Sequence, residues 1–188
     1  MRRIPVLMSV LLAMCFPFLV YLSMGRLDPY WVAGGIAVML LVRAALSRDS
    51  LWLVLAAVAG VIALVSLGGV GWLPLKLYPV AVSAVMLAVF GISLLRPPSF
   101  VERIARAREG VLSPEAIVYT RKVTVIWCVF FMANGAIAAA TAIWASPEVW
   151  AAYTGLVSYI LMGILFAGEW VVRRRVRGRP ASARESHV

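Results

Sequence analysis

Apolar stretches long enough to cross a membrane constrain this chain more than any other feature. A transmembrane helix needs about 20 consecutive apolar residues to cross the hydrocarbon core of a bilayer. Six stretches of the sequence meet or approach that length: 4–24, 29–45, 51–67, 77–95, 123–145 and 149–172. Hydrophobic residues make up 63% of the 188 residues and charged residues 14%, whereas soluble domains are about half apolar and a quarter charged. We therefore predict an all-α, polytopic membrane bundle of six transmembrane helices.

One domain accounts for nearly the whole chain. Residues 1–176 contain all six predicted helices, and no internal repeat divides them. We interpret the first apolar stretch as a retained span, because it is longer than the apolar region of a signal peptide. Residues 177–188 are basic and polar, which is typical of a disordered tail.

The positions of the basic residues predict how the bundle is oriented. If the N-terminus lies in the cytoplasm, six spans put every lysine and arginine except Arg26 and Lys76 on the cytoplasmic side. Cytoplasmic loops carry an excess of basic residues, so both termini are predicted to be cytoplasmic. A five-span arrangement would put one of the arginine-rich ends on the wrong side. We expect a multi-pass protein of a bacterial inner (cytoplasmic) membrane.

The net charge of +10 follows from this topology, so it does not indicate a nucleic-acid partner. Basic residues at the cytoplasmic surface attract anionic lipids by about 1 kcal/mol each. We therefore expect anionic membrane lipids, and no nucleic acid, to be partners of this chain.

A long polar stretch at residues 96–122 separates the fourth and fifth spans. Ser99 and Glu102 have the spacing of a capping box, and they follow two prolines that cannot continue the fourth span. The next residues, 100–109, predict a short amphipathic helix that ends at Gly110. We expect this helix to lie flat on the cytoplasmic membrane surface, with its apolar face in lipid. Its basic face consists of Arg103, Arg106 and Arg108.

A second helix starts soon after the first. Ser113, Pro114 and Glu115 combine a cap, a proline at the first position and an acid in the first turn. We predict one continuous helix from about residue 114 to residue 145, which is longer than the bilayer core by several turns. Arg121 and Lys122 mark where it leaves the membrane. Together with the three arginines of the shorter helix, they are candidate contacts for a partner or for lipid. The stretch 96–122 is a connector, a docking surface for a soluble partner or a catalytic insert, and the sequence leaves all three open.

The predicted outer loops contain tryptophans that are typical of membrane interfaces. Residues 68–79 are rich in glycine and proline and form either an ordinary outer loop or a re-entrant segment. Trp72, Trp144 and Trp150 flank predicted spans, where indole rings commonly lie at the lipid headgroups. We expect all three to be interface anchors.

The sequence contains little that could carry chemistry. Its single histidine, His187, lies in the tail, and its two cysteines have no metal-binding spacing. We therefore predict no catalytic residue, no cofactor and no metal site.

Two polar residues inside predicted spans are candidates for function. Glu169 either pairs with Arg173, four residues later on the same helix, or contacts a proton or substrate. Asn134 either bonds to a neighbouring helix or contacts a substrate.

Residues 78–175 resemble a family of uncharacterised bacterial inner-membrane proteins. The specific parts are "RPPSFVER" at 96–103, "YTRKVT" at 119–124 and "WCVFFMANG" at 127–135. Members of that family often occur with fatty-acid-type or aryl-polyene (xanthomonadin-like) biosynthesis genes. A weaker likeness, to the intracellular septation protein A family, rests on the basic loop, the W-x-x-FF helix and the tryptophan at the start of the last span. Neither resemblance implies a catalytic residue.

These observations lead us to expect an integral inner-membrane accessory protein. It would assist the synthesis of lipid-like or polyene products, or envelope assembly, through a basic cytoplasmic docking surface. That surface would bind a biosynthetic partner, and self-association into a homo-oligomer is a further expectation. The alternatives are a small lipid or metabolite transporter, similar to a flippase, and a membrane-embedded enzyme. A transporter needs polar groups within the bilayer, and the spans offer few: Ser83, Asn134, Thr141, Tyr159 and Glu169.

Overall fold

The computed structural model describes residues 15–47, 50–69 and 71–177, and within these ranges the regular structure is helical, with no strand. The helices are α1 (15–23), α2 (Pro29–Ser47), α3 (Ser50–Leu67), α4 (Leu73–Lys76), α5 (Tyr78–Leu95), α6 (Phe100–Glu109), α7 (Pro114–Trp144), α8 (Pro147–Ala152) and α9 (Ser158–Arg177). A π-helical turn, Tyr153–Val157, joins α8 to α9.

Four helical segments are long and apolar enough to span a membrane: Pro29–Leu46, Leu73–Leu95, Pro114–Trp144 and Pro147–Val171. A shorter apolar helical stretch, Ala56–Leu67, lies within α3. These segments confirm an all-helical fold built on apolar helices of membrane-spanning length. The predicted first span begins outside the described residues, and only its part at 15–23 is seen as helix. Of the predicted tail, residues 178–188 lie outside the described part, and α9 continues to Arg177.

Serine residues cap α6 and α7 at the positions that the sequence predicts, and another serine caps α8. The hydroxyls of Ser113 and Ser146 accept hydrogen bonds from backbone N–H groups at 3.3 and 3.5 Å at the starts of α7 and α8. Ser99 and Glu102 form the predicted capping box, in which the Ser99 N–H donates to the Glu102 carboxylate at 3.2 Å. The predicted continuous helix is also confirmed, since α7 runs without a break for 31 residues.

Helices α5 and α7 cross closely at the centre of the molecule. A Cβ atom placed on Gly135 would lie only 3.1 Å from the Cβ atom of Ser83. Small residues at such a crossing allow two helix backbones to approach each other. Beside the crossing, the buried rings of Phe90, Trp127 and Phe131 pack together, with centroids 5.2 to 6.3 Å apart.

The segment 68–79 folds differently from a plain loop. Its last part forms the single helical turn α4, and α5 begins two residues after α4 ends. Leu75 on this turn is buried, and the fully buried Trp150 donates a hydrogen bond from its indole nitrogen to the Lys76 carbonyl at 3.1 Å. The expectation that Trp150 is an interface anchor is therefore wrong, because its indole finds a polar partner inside the protein. Trp144 is 80% exposed, as an anchor should be.

The π-helical turn contacts α1 through a glycine. A Cβ atom on Gly155 would lie 2.5 Å from the ring carbon Cε2 of Phe18. Any larger side chain at residue 155 would therefore displace the Phe18 ring. Glycine leaves room for the ring in its observed position. This contact holds the described part of α1 against the start of the last span.

Candidate functional site

A large cleft is the main concave feature of the described residues. Its volume is about 920 Å³, near the upper end of the range for small-molecule sites, about 300–1,000 Å³. Side chains of α1, α2, α5, α6, α7, the π-helical turn and α9 line it. On α9 alone the lining extends from Ser158 to Trp170, which corresponds to about 18 Å along the helix axis. The cleft is therefore long as well as large.

The polar groups of the cleft lie at its two ends. The end beside α6, which we call the charged end, contains Arg43, Arg108 and Glu169. The opposite end, which we call the neutral end, contains hydroxyl and amide groups from Tyr78, Ser83, Asn134, Thr154, Ser158 and Tyr159. Between them the walls are apolar or aromatic, from Met86, Phe90, Trp127, Phe131, Met162 and Phe166. The cleft could therefore hold a molecule that has an apolar chain and a polar group at its end.

Hydrogen bonds connect three helical segments at the neutral end. The Tyr153 hydroxyl donates to Asn134 Oδ1 at 3.1 Å, and Asn134 Nδ2 donates to Ser83 Oγ at 3.3 Å. Ser83 Oγ donates in turn to the carbonyl of Pro79 at 3.0 Å. These are the bonds that the helix-bridging interpretation of Asn134 predicts, and they join α7 to α5 and to the π-helical turn. Contact between Asn134 and a substrate stays a prediction.

The π-helical turn shapes this end of the cleft. π-helical turns inside α-helices are rare and often lie at functional sites. Here the turn carries Tyr153, which bonds to Asn134, and Thr154, which lines the cleft and donates to the Trp150 carbonyl at 2.7 Å. Sequence reasoning missed Tyr153, because no local pattern indicates either the π-helical turn or a partner 19 residues away on another helix.

Helix α6 covers the charged end by docking onto α5 and α7. The Phe100 N–H donates to Ser93 Oγ at 2.8 Å, and the Val101 N–H donates to Thr124 Oγ1 at 3.4 Å. Val101 and Ala105 are buried against the protein. The prediction of a helix at 100–109 is confirmed, but part of its apolar face packs on the bundle. The reason is that α5 and α7 offer both an apolar surface and two hydroxyl acceptors.

The three arginines of α6 have different surroundings. Arg106 donates two hydrogen bonds to Oε1 of the buried Glu102, at 2.8 and 2.9 Å. Arg103 donates to the carbonyl of Pro98 at 2.9 Å. Arg108 lines the cleft and makes no hydrogen bond or ion pair with any group that the structure describes. The basic face is therefore not one uniform patch.

The other predicted contact residues divide between the surface and the cleft. Arg121 and Lys122 are exposed on α7 and do not line the cleft. Glu169 lines the charged end, and its backbone carbonyl accepts a hydrogen bond from the Tyr119 hydroxyl at 3.3 Å. The Arg173 side chain lies outside the described part, so the ion pair with Glu169 stays a prediction. Sequence reasoning missed Arg43 as a cleft residue, since its place near a span end indicated only contact with the interface.

Within the described ranges, no three histidine, cysteine, aspartate or glutamate side chains come together to hold a metal ion. Comparisons of the chain with protein-family models, with curated proteins and with solved structures found no match. The family resemblance of residues 78–175 accordingly stays an expectation.

Proposed function

We propose that this chain is an integral membrane accessory protein that holds one lipid-like molecule in its cleft. In this role it would assist the synthesis of lipid-like products or the assembly of the cell envelope. The observation that carries the proposal is the cleft of about 920 Å³, with its apolar middle and its polar ends.

The apolar middle favours a long-chain ligand over a small polar metabolite. A polar group buried there would lose hydrogen bonds to water, at a cost of roughly 2–7 kcal/mol depending on the reference state. An alkyl or polyene chain has no such polar group, so the apolar walls accept it without this cost. The polar groups at the two ends can then orient such a chain.

The distribution of charge favours a holder over a transporter. Arg43, Arg108 and Glu169 are the charged residues of the described ranges that line the cleft, and all three lie at one end. A transporter must move the polar head of its substrate through the bilayer. The apolar middle of this cleft, as far as the structure describes it, has no charged, hydroxyl or amide side chain that could bind such a head on the way. A fixed ligand with one head beside α6 fits this distribution better.

The membrane arrangement that we propose has six spans and both termini in the cytoplasm of a bacterial inner membrane. Four membrane-length helices and the uneven distribution of basic residues support it. In this arrangement the charged end of the cleft lies at the cytoplasmic surface. The exposed Arg121 and Lys122, together with Arg103, would contact anionic lipid or a cytoplasmic biosynthetic partner there.

The test of the proposal is the recovery of a bound molecule. Native mass spectrometry of protein purified in mild detergent should show a lipid-like adduct on the wild type. Met162→Trp places a large ring in the cleft and should remove most of that adduct. The control is Ile164→Trp, since Ile164 lies on the same helix but is 63% exposed and does not line the cleft. Equal adduct on both variants, or no adduct on the wild type, would show that the cleft is not a lipid site.

A further inference from the structure

We infer that the ligand is a single-chain amphiphile with an anionic head, and that Arg108 binds this head at the charged end. This inference rests on the proposed function, because it names the class and the orientation of the molecule that the cleft holds.

The contacts of α6 leave Arg108 as the arginine of this helix that is available to a ligand. Arg106 is held by the Glu102 carboxylate, and Arg103 by the carbonyl that precedes the helix. Arg108 lines the cleft and has no hydrogen-bonding partner in the described part of the chain. Its guanidinium can therefore donate to a ligand without breaking a contact of the fold.

A second helix brings another guanidinium to the same end. Arg43 lines the cleft from α2, and Glu169 lines it from α9. Among the side chains that the structure describes, two positive charges and one negative charge therefore line the charged end. The balance is positive, which favours an anion over a cation at this end.

The chemistry of the guanidinium narrows the class of head group. Its planar fork matches the oxygens of a carboxylate or a phosphate, and such charge-assisted hydrogen bonds are about twice as strong as neutral ones. In the described part of the chain, the neutral end contains hydroxyl and amide groups but no charged side chain. A charged head is thus stabilised at the α6 end alone, which fixes the direction of the chain.

The size of the cleft limits the ligand to a slender molecule. A lining of about 18 Å along α9 and a volume of about 920 Å³ suit one extended chain and a small head. We therefore expect a long-chain acid or a long-chain alkyl phosphate. These two share an anionic head and differ in its geometry.

The experiment compares three fluorescent probes of equal chain length on the full-length protein: a fatty acid, an alkyl phosphate and a fatty alcohol. Binding is measured in detergent for the wild type, Arg108→Gln, Arg108→Lys and Arg26→Gln. We expect Arg108→Gln to weaken binding of an anionic probe by about tenfold or more, as for a lost hydrogen bond to a charged group, and to leave the alcohol unchanged. Arg108→Lys should retain part of the affinity, because it keeps the charge. Arg26→Gln is the control, since it removes the same charge from an exposed residue outside the cleft.

Each outcome separates this inference from the proposed function. If no probe binds the wild type, the proposed function fails and the inference fails with it. In a second outcome, all probes bind, and Arg108→Gln leaves every affinity unchanged or lowers all of them equally. In that case the cleft binds lipid, but Arg108 does not bind the head group. If only the acid or only the phosphate depends on Arg108, the inference holds and that probe identifies the head.

Discussion

Arg103, Arg106 and Arg108 lie close together on α6, yet each makes a different contact. Arg106 neutralises a glutamate that is only 5% exposed, Arg103 caps a backbone carbonyl, and Arg108 reaches the cleft. The three arginines are therefore not equivalent in their contacts within the fold, and the docking of a partner at this surface stays a prediction. The role of each arginine depends on the group that lies opposite it, which for Arg106 is a buried carboxylate.

The ion pair of α6 leads to a prediction about stability. Arg106→Gln should destabilise α6, because the Glu102 carboxylate stays buried after losing its partner. The Arg106 side chain is 44% exposed, so we expect a cost of roughly 1–2 kcal/mol, between the values for exposed and buried ion pairs. Limited proteolysis within 96–113 should become faster in this variant.

The matched control for that experiment is Glu102→Gln/Arg106→Gln, which removes both charges together. We expect the proteolysis rate of the double variant to lie closer to the wild-type rate than the rate of the single variant does. If the single variant is as resistant to protease as the wild type, the ion pair does not stabilise α6.

At the scale of helices, the close crossing of α5 and α7 brings the polar groups of the neutral end together. Asn134 and Gly135 are adjacent on α7, and both face Ser83 on α5. The glycine lets the two backbones approach, and the asparagine bonds across the gap that remains. The α5–α7 crossing and the hydrogen-bond network are therefore one feature of the fold.

The crossing predicts a marked difference between two glycine substitutions. Gly135→Ala should destabilise the protein by roughly 1–3 kcal/mol, because the added methyl overpacks the contact with Ser83. Gly163→Ala should be neutral or slightly stabilising, because nothing lies within 4 Å of its added Cβ and alanine favours a helix. Thermal unfolding in detergent provides the measurement. Equal melting temperatures for the two variants would contradict the close crossing.

At the scale of the whole molecule, the proposed topology puts the charged end of the cleft on the cytoplasmic side. Helix α6 covers this end, and Arg121 and Lys122 lie on the neighbouring part of α7. The proposed topology thus makes the head of the ligand accessible from the cytoplasm, where a biosynthetic partner would deliver or receive it.

Reporter fusions test this topology directly. We expect fusions after Leu27, Lys76 and Pro147 to report the outer side, and fusions after Arg48, Gly110 and Arg179 to report the cytoplasm. The reason is the excess of basic residues in the second group of segments. An external signal at Gly110 would overturn the six-span arrangement and would put the charged end of the cleft on the opposite side.

The sequence alone determined the helical class, the starts of α6 and α7, and the length of α7. These features depend on local chemistry: apolar runs of membrane length, serine caps and prolines in first turns. Each can be read from one continuous stretch of the chain, so the capping box of α6 and the start of α7 were predicted correctly. The apolar and basic faces of α6 were also evident, since they follow from helical periodicity.

Only the tertiary structure decided where the polar groups meet. The indole of the buried Trp150 donates to a carbonyl 74 residues away, and Tyr153 bonds to Asn134 from a π-helical turn that no sequence pattern indicates. Arg43 and Arg108 lie far apart in the chain but line the same end of the cleft. Such contacts depend on how helices cross and on which side chains leave space between them. That geometry results from packing across the whole bundle, so no local stretch of the sequence contains it.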